Sequence, residues 1–367
     1  MFFIVFLFGL QLLSYACARS LHWLAGDALT LRAKRRLSAI IFIVSNVLLL
    51  NLLLRLWHGA FHSMAMWLIF MLYTVYAVIA AGVLYLLLRR IAPRSKPLPA
   101  LRAFALLFFI GLSLFSLHNA YVPTVRHYRI TLDKPLAQPL RIGVASDLHL
   151  GKWFGKRQLD QLAAIMQQEK ADLILLPGDI MDDNVIAYRA KGMQEHFSRL
   201  RAPLGVYATL GNHDLFGHQH EITAEIRAAG IELLHDDVVQ LPQGITLIGR
   251  PDNMDKQRRS TAELLAQVDT SRPVIVLDHR PDHIEQHARL PVDIQVSGHA
   301  HNGQIFPANL IVRAINRLAY GHEKIGNGHF FVTSGYGFWA VPLRLGSQSE
   351  VMMIEVTGKT NEKTAGE

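Results

Sequence analysis

Cysteine is almost missing: the 367-residue chain has one, Cys17. A single thiol excludes an intrachain disulfide framework and any metal site built on several thiolates. Acid is missing from the first third. Residues 1–121 contain one acidic side chain, Asp27, against eleven Lys and Arg; the remainder holds the other 28 acids and 26 bases. The net charge of +8 therefore belongs to the N-terminal part. Beyond it there is no basic stripe interleaved with aromatics, so the charge does not argue for a nucleic-acid partner. Long apolar runs are also absent after about residue 122, which confines membrane-crossing helices to the beginning of the chain.

That beginning carries four apolar stretches, over residues 1–18, 37–54, 67–88 and 103–121, none with an Asp, Glu, Lys or Arg. Each is close to the roughly 20 residues that span a hydrocarbon core. The first lacks the positive start of a signal peptide, and three more spans follow, so it reads as a retained helix. The first connecting loop holds Arg19, Arg32, Lys34, Arg35 and Arg36; the third holds Arg89, Arg90, Arg94, Lys96 and, at its end, Arg102. The second has only Arg55 at its edge. Basic loops stay in the cytoplasm, so this bias predicts that everything after the fourth span faces outward.

The sequence predicts a second domain over 122–357 and a polar, disordered tail over 358–367. Short β-rich runs such as "LRIGVAS", "DLILLPG", "GVYATLG", "RPVIVLDH" and "VDIQVSG" alternate with helical patterns over 156–170, 221–230 and 260–269. Ser260 is a capping candidate for the last of these. The pattern is α/β with buried strands.

The polar residues fall just past the carboxyl ends of those runs. Asp147 and His149 follow one strand, Asp179 and Asp182 the next, then Asn212, His213 and Asp214, then His279, then His299 and His301. In open α/β sheets ligands bind at that edge. Taken singly, Asp147 with His149, or Asp179 with Asp182, reads as a surface turn, His299 with His301 reads either way, and Gly-Asn-His fits a tight loop poorly unless its side chains are used. Five in succession do not read as turns. Carboxylate, amide and imidazole ligands suit Mn, Fe or Zn rather than Ca. Seven such side chains exceed one tetrahedral site and suit two cations sharing a carboxylate, an arrangement that hydrolyses phosphate esters. His218 and His220, in "DLFGHQH", read as a solvated loop.

In "SDLHLG", "PGDIMD", "LGNHD", "LDHRP" and "SGHAHNGQ" the chain resembles the calcineurin-like metallophosphoesterases over about 140–355, and within them the bacterial membrane-associated branch. Asn302 stands where that branch often has Gly. The resemblance implies a four-layer α-β-β-α sandwich of two mixed sheets, preceded here by about four transmembrane helices. It implies two divalent metal ions: Asp147, His149 and His301 on the first, Asp179 bridging, Asn212, His279 and His299 on the second. His213 would assist catalysis and Asp182 would orient it. The implied enzyme is a metal-dependent phosphoric ester hydrolase of the bacterial inner (plasma) membrane, attacking a phosphodiester or phosphomonoester with a metal-bridged hydroxide.

Tethering by four spans makes a phospholipid or lipid-linked phosphoester an attractive substrate, although it serves equally to localise an enzyme of soluble substrates, and residues 309–322 read as an amphipathic helix, either packed on the core or resting on anionic lipid. Two alternatives stand beside this reading: a cytoplasm-facing nucleotide-lipid pyrophosphatase, and a non-catalytic membrane scaffold with a relic metal site.

Overall fold

The structure, a computed structural model, describes residues 2–54, 56, 59–91 and 98–359. Arg55, Arg94, Lys96 and most of the polar tail lie outside the described residues. The chain divides into two compact units, residues 1–117 and 118–367.

The first unit is helical: α1 Phe2–Ala25, α2 Leu31–Leu54, α3 Ala60–Ile91 and α4 Leu98–Tyr121. These are the long apolar stretches, lengthened by up to a few turns at their polar ends. Pro99 sits in the first turn of α4, where no intrahelical N–H is lost. All four are long and apolar enough to cross a membrane. Among them α1, α2 and α3 are joined by buried hydroxyls: Ser14 Oγ lies 2.9 Å from Ser45 Oγ, which accepts from Trp67 Nε1 at 2.8 Å. Such pairs satisfy polar atoms where no water reaches.

The second unit is a sandwich. Its elements are β1 Thr124–Leu132, β2 Leu140–Val144, α5 Lys156–Gln168, β3 Leu173–Pro177, α6 Ile186–Ala190, α7 Gln194–Phe197, β4 Val206–Thr209 and α8 Gln219–Ala228. These are followed by β5 Glu232–Leu233, β6 Asp237–Leu241, β7 Ile245–Arg250, α9 Thr261–Leu265, β8 Val274–Asp278, α10 Ile284–His287, β9 Ile294–Ser297, α11 Ala308–Ile315, β10 Gly321–Ile325, β11 Gly328–Val332 and β12 Glu350–Gly358. They form two mixed six-stranded sheets, ordered β1-β12-β2-β3-β4-β5 and β10-β11-β9-β8-β7-β6. Ile142, Leu175, Leu247, Leu277, Val296 and Ile354 belong to the core between the sheets. Leu159, Leu162, Ile174, Leu176, Ile222 and Ile226 join the first sheet to its helices, and Leu264, Val274 and Val276 join the second sheet to α9. The alternation along β3 and β8 is the period-2 rule of a strand buried on both faces. Ser260 caps α9 as its sequence suggests, accepting from the Glu263 N–H.

One element is shorter than its pattern. The helix expected over 309–322 ends at Ile315, because Asn316 is extended (φ −107°, ψ 140°) and leads towards β10.

Candidate metal centre

β2, β3 and β4 lie side by side in one sheet, and β8 and β9 are neighbours in the other. Their carboxyl ends deliver the polar loops to one edge of the sandwich. There the backbone leaves ordinary conformations: φ is positive at Asp147 (55°), His149 (45°), Asp179 (52°), His299 (66°) and His301 (47°). Each such residue costs of order 1 kcal/mol and persists only where the surroundings enforce it. Two glycines make the crowding possible. A Cβ on Gly211 would strike the Asp179 carboxylate, and one on Gly298 would strike Asp147 and Ser146. Asn302 (φ 46°, ψ 36°) also lies in the left-handed region, which explains why Gly and Asn both suit that place. It is buried and does not line the cavity described below.

The seven candidate ligands meet. His301 Nε2 lies 3.3 Å from Asp147 Oδ1 and 3.2 Å from His149 Nε2. On the other side His279 Nε2 is 3.3 Å from Asn212 Oδ1. Asp179 stands between the groups: its Oδ2 is 3.8 Å from His149 Nε2 and 3.2 Å from His279 Nε2. Its Oδ1 accepts the backbone N–H of His213 at 2.9 Å, which fixes the carboxylate plane. Asp147, His149 and His301 offer ligand atoms within 4.8 Å of one another, and so do Asp179, His279 and His299.

The donor set fits cations. Both carboxylates are fully buried, and a buried charge without a counter-charge costs several kcal/mol. Burial works against a charge on His279, but Asp179 pulls its pKa up to about 10. The carboxylate thus demands a positive charge there, and a proton or a metal ion can supply it. Burial holds His149 and His299 down to about 3, so both rings are neutral, the form that binds a metal. His279 Nδ1 lies 2.8 Å from the Pro177 carbonyl, a contact that puts the ring proton on Nδ1 and leaves Nε2 for the site.

His213 and Asp182 need separate treatment. His213 Nδ1 is bonded at 2.5 Å to Asp183 Oδ1, not to Asp182. Asp182 instead directs Oδ1 towards His149 Nδ1, at 3.8 Å, while remaining near enough to add its charge to the His213 environment. Asp183, which takes a positive φ (66°) in the turn, is the carboxylate hydrogen-bonded to His213 Nδ1, and Asp182, expected to orient His213, adds its charge from close by. Burial lowers the His213 pKa, but the Asp183 hydrogen bond and the Asp179 charge outweigh it and raise the value.

Three residues escaped the sequence reading. Asp214, named only as part of its motif, is buried and accepts the N–H groups of Ile180, Met181 and Gly211 at 2.9–3.0 Å. It ties the Asp179 loop to the Asn212 loop. Arg344 is fully buried, its Nη2 3.2 Å from His301 Nδ1 and donating at 2.6 Å to the carbonyls of Ser334 and Gly337. Arg280 stands 3.1 Å from His299 Nε2 and donates to Asp252 at 2.6 Å. The signal for the first arginine lay in the late segment "VPLRLGSQSEV", which is part of the family resemblance. His218 and His220 are exposed and do not line the cavity.

The centre opens into a cavity of about 540 Å³ whose lining includes Asp179, His213, Arg280, His299, Ile315 and Trp339. The rings of Phe216 and Trp339 flank His213 at 5.1 and 6.1 Å.

Comparison with known proteins agrees with this geometry. Residues 140–303 match the family model of the calcineurin-like phosphoesterases. An uncharacterized metallophosphoesterase of Aquifex aeolicus is 31% identical over 260 residues, covering 68% of this chain and 98% of its own. The chain belongs to the calcineurin-like metallophosphoesterase family. A Helicobacter pylori metallophosphoesterase, also uncharacterized, is 29% identical over 65% of this chain; the match spans 65% of that relative's length. A Danio rerio protein described as a transmembrane protein with metallophosphoesterase domain is 28% identical over 68% of this chain and 61% of its own. With four membrane-length helices of its own, this metallophosphoesterase is a membrane protein.

Proposed function

We propose that the chain is a membrane-anchored phosphoester hydrolase working with two divalent cations, Mn, Fe or Zn. The observation that carries this reading is the place of Asp179, whose Oδ2 faces a histidine nitrogen of each ligand group. Asp147, His149 and His301 would hold the first cation, Asn212, His279 and His299 the second, and Asp179 would be shared by both. Two such cations, when bound, neutralise phosphate oxygens and lower the pKa of a water between them. His213, at the cavity wall, donates a proton to the departing alcohol oxygen, and Asp183 keeps its Nδ1 protonated so that Nε2 faces the substrate. Arg280 supplies a fixed positive charge for a phosphate oxygen. The substrate is a phosphodiester or phosphomonoester presented at the membrane, and the loop charges favour a catalytic domain on the extracytoplasmic side of a bacterial inner membrane.

The test uses the purified full chain. Elemental analysis is expected to give two metal ions per chain, and a soluble aryl phosphodiester to be hydrolysed until a chelator is added. Asp179→Asn is expected to lower the rate by about 1,000-fold or more with the fold retained. Wild-type rates in that variant would sink the reading. A reporter active only outside the cytoplasm, fused after Lys359, checks the orientation; silence there favours a cytoplasm-facing enzyme.

A further inference from the structure

The cavity has an apolar rim that the chemistry of phosphate does not need. None of the eight residues of α11 is buried. Leu310, Ile311 and Ile315 are 56%, 59% and 73% exposed, and Phe306 just before the helix and Trp339 beside it are 40% and 42% exposed. Soluble surfaces rarely gather so many large apolar side chains in one place. Val312 and Ile315 line the metal cavity itself, as does Trp339.

The charges at this rim have one sign to spare. α11 has no acidic residue. Arg317 is already paired with Glu323 and Glu285, but Arg313 is exposed and has no acidic partner among the described residues.

Continuity with the membrane comes from α4. Its last residues, His118–Tyr121, belong to the compact unit that holds the metal centre. The Tyr121 ring packs edge-on against Phe338 with centroids 5.3 Å apart, and its hydroxyl donates to the Trp153 carbonyl at 3.1 Å. Phe338 is followed by Trp339, the cavity-wall residue. The chain therefore passes from the end of a membrane-length helix to the cavity rim through two ring contacts, Tyr121 on Phe338 and Trp339 beside His213. Asn119 adds a second tie, accepting the Ser349 N–H at 2.8 Å and donating to the Arg344 carbonyl at 3.3 Å.

We propose that α11, with Phe306 and Trp339, is an interfacial surface that dips into the lipid leaflet and sets the mouth of the metal cavity at headgroup depth. Leucine, isoleucine and phenylalanine enter the acyl boundary, tryptophan sits at headgroup level, and Arg313 meets anionic headgroups. That this surface brings a lipid phosphoester to the centre rests on the hydrolase reading; the insertion of α11 does not.

The experiment reads insertion without reading hydrolysis. A nitroxide is attached at Ile311→Cys in the full chain carrying Cys17→Ser, reconstituted in nanodiscs containing phosphatidylglycerol. The control label is at Arg129→Cys, on an 88% exposed side chain of β1. Collision with oxygen relative to a water-soluble nickel chelate is expected to be at least about threefold higher at 311 than at 129. A label at Leu310→Cys repeats the measurement should Ile311→Cys fold poorly. Equal access of the chelate to both α11 labels and the control would overturn the proposal. Dipolar broadening between labels would assign the surface to a second copy of the chain and overturn it equally. A dead but inserted enzyme would instead count against the hydrolase reading alone.

Discussion

Two buried polar clusters lie back to back on β8 and β9, and they are built on opposite principles. Asp278 and His279 are consecutive, so their side chains point to opposite faces. Asp278 turns to the helix-covered face, where Arg250 and Arg258 donate to its two oxygens at 2.9 and 3.2 Å. Beside it His287 Nδ1 lies 2.7 Å from Gln295 Oε1 and its Nε2 is 2.6 Å from Thr261 Oγ1. Gln295 passes the chain on to Ser297 at 3.0 Å. Donors there meet acceptors. His279 turns the other way, into a group where ring nitrogens face ring nitrogens and carboxylates converge. A cluster whose charges close on protein partners holds the fold. One whose lone pairs converge on a common point is suited to a cation, and that distinction separates two histidine-containing sites eight residues apart.

The sharpest break of this comparison is on the metal side. His213→Ala leaves the ligands in place and removes only a proton donor. It is expected to lower kcat on an aryl phosphodiester by about 100- to 10,000-fold with metal content unchanged. A loss of metal in the same variant would make His213 a ligand instead.

On the other side, Asp278→Ala strands Arg250 and Arg258 in a buried site. Removing one partner of a buried ion pair costs about 3–5 kcal/mol, so denaturant unfolding is expected to shift by that amount. The fraction still folded keeps its metal. Equal stability would mean that the two arginines find water, and the contrast between the clusters would lose its structural half.

A finer division concerns the adjacent acids. Asp183→Asn removes the partner of His213 Nδ1 and is expected to reduce kcat about 10- to 100-fold. Asp182→Asn is expected to do less. The reverse order would restore Asp182 as the orienting group.

That pair marks where the sequence stops being legible. The runs before Asp147, Asp179, Asn212, His279 and His299 are short, nearly continuous apolar stretches with polar ends, the signature of strands buried on both faces, so five strand ends and seven candidate ligands could be read without coordinates. The choice between Asp182 and Asp183 depends on one positive φ in a turn, which no periodicity encodes. Edge strands leave little pattern either: β5 has two residues, and β10, "GHEKI", has none buried. Arg344 reaches His301 across 43 residues of chain, a contact set by tertiary packing alone. The amphipathic stretch over 309–322 was visible as a period, but its end at Ile315 came from the backbone of Asn316.

The smallest expected effect tests the balanced cluster by pH. Burial holds the His287 pKa below its ordinary value of about 6.5, so the folded ring stays neutral where the unfolded one takes up a proton. The unfolded chain then binds more protons as the medium becomes acid. The stabilisation from the neutral ring is full above about pH 6.5 and is lost as the pH falls through that value, at most about 1.4 kcal/mol per pH unit for one proton. In urea unfolding of the metal-free protein between pH 7 and pH 5 this slope adds to those of His149, His299, His322 and His329, whose values burial also lowers, and is opposed by His279 and His213, whose values are raised; His287→Gln is expected to remove its share alone. Glutamine keeps one donor and one acceptor for Gln295 and Thr261 but cannot titrate, so the two curves should converge towards acid pH. Parallel curves would mean that His287 takes up its proton equally in the folded and unfolded chains, so that the cluster beside Asp278 does not hold the ring neutral.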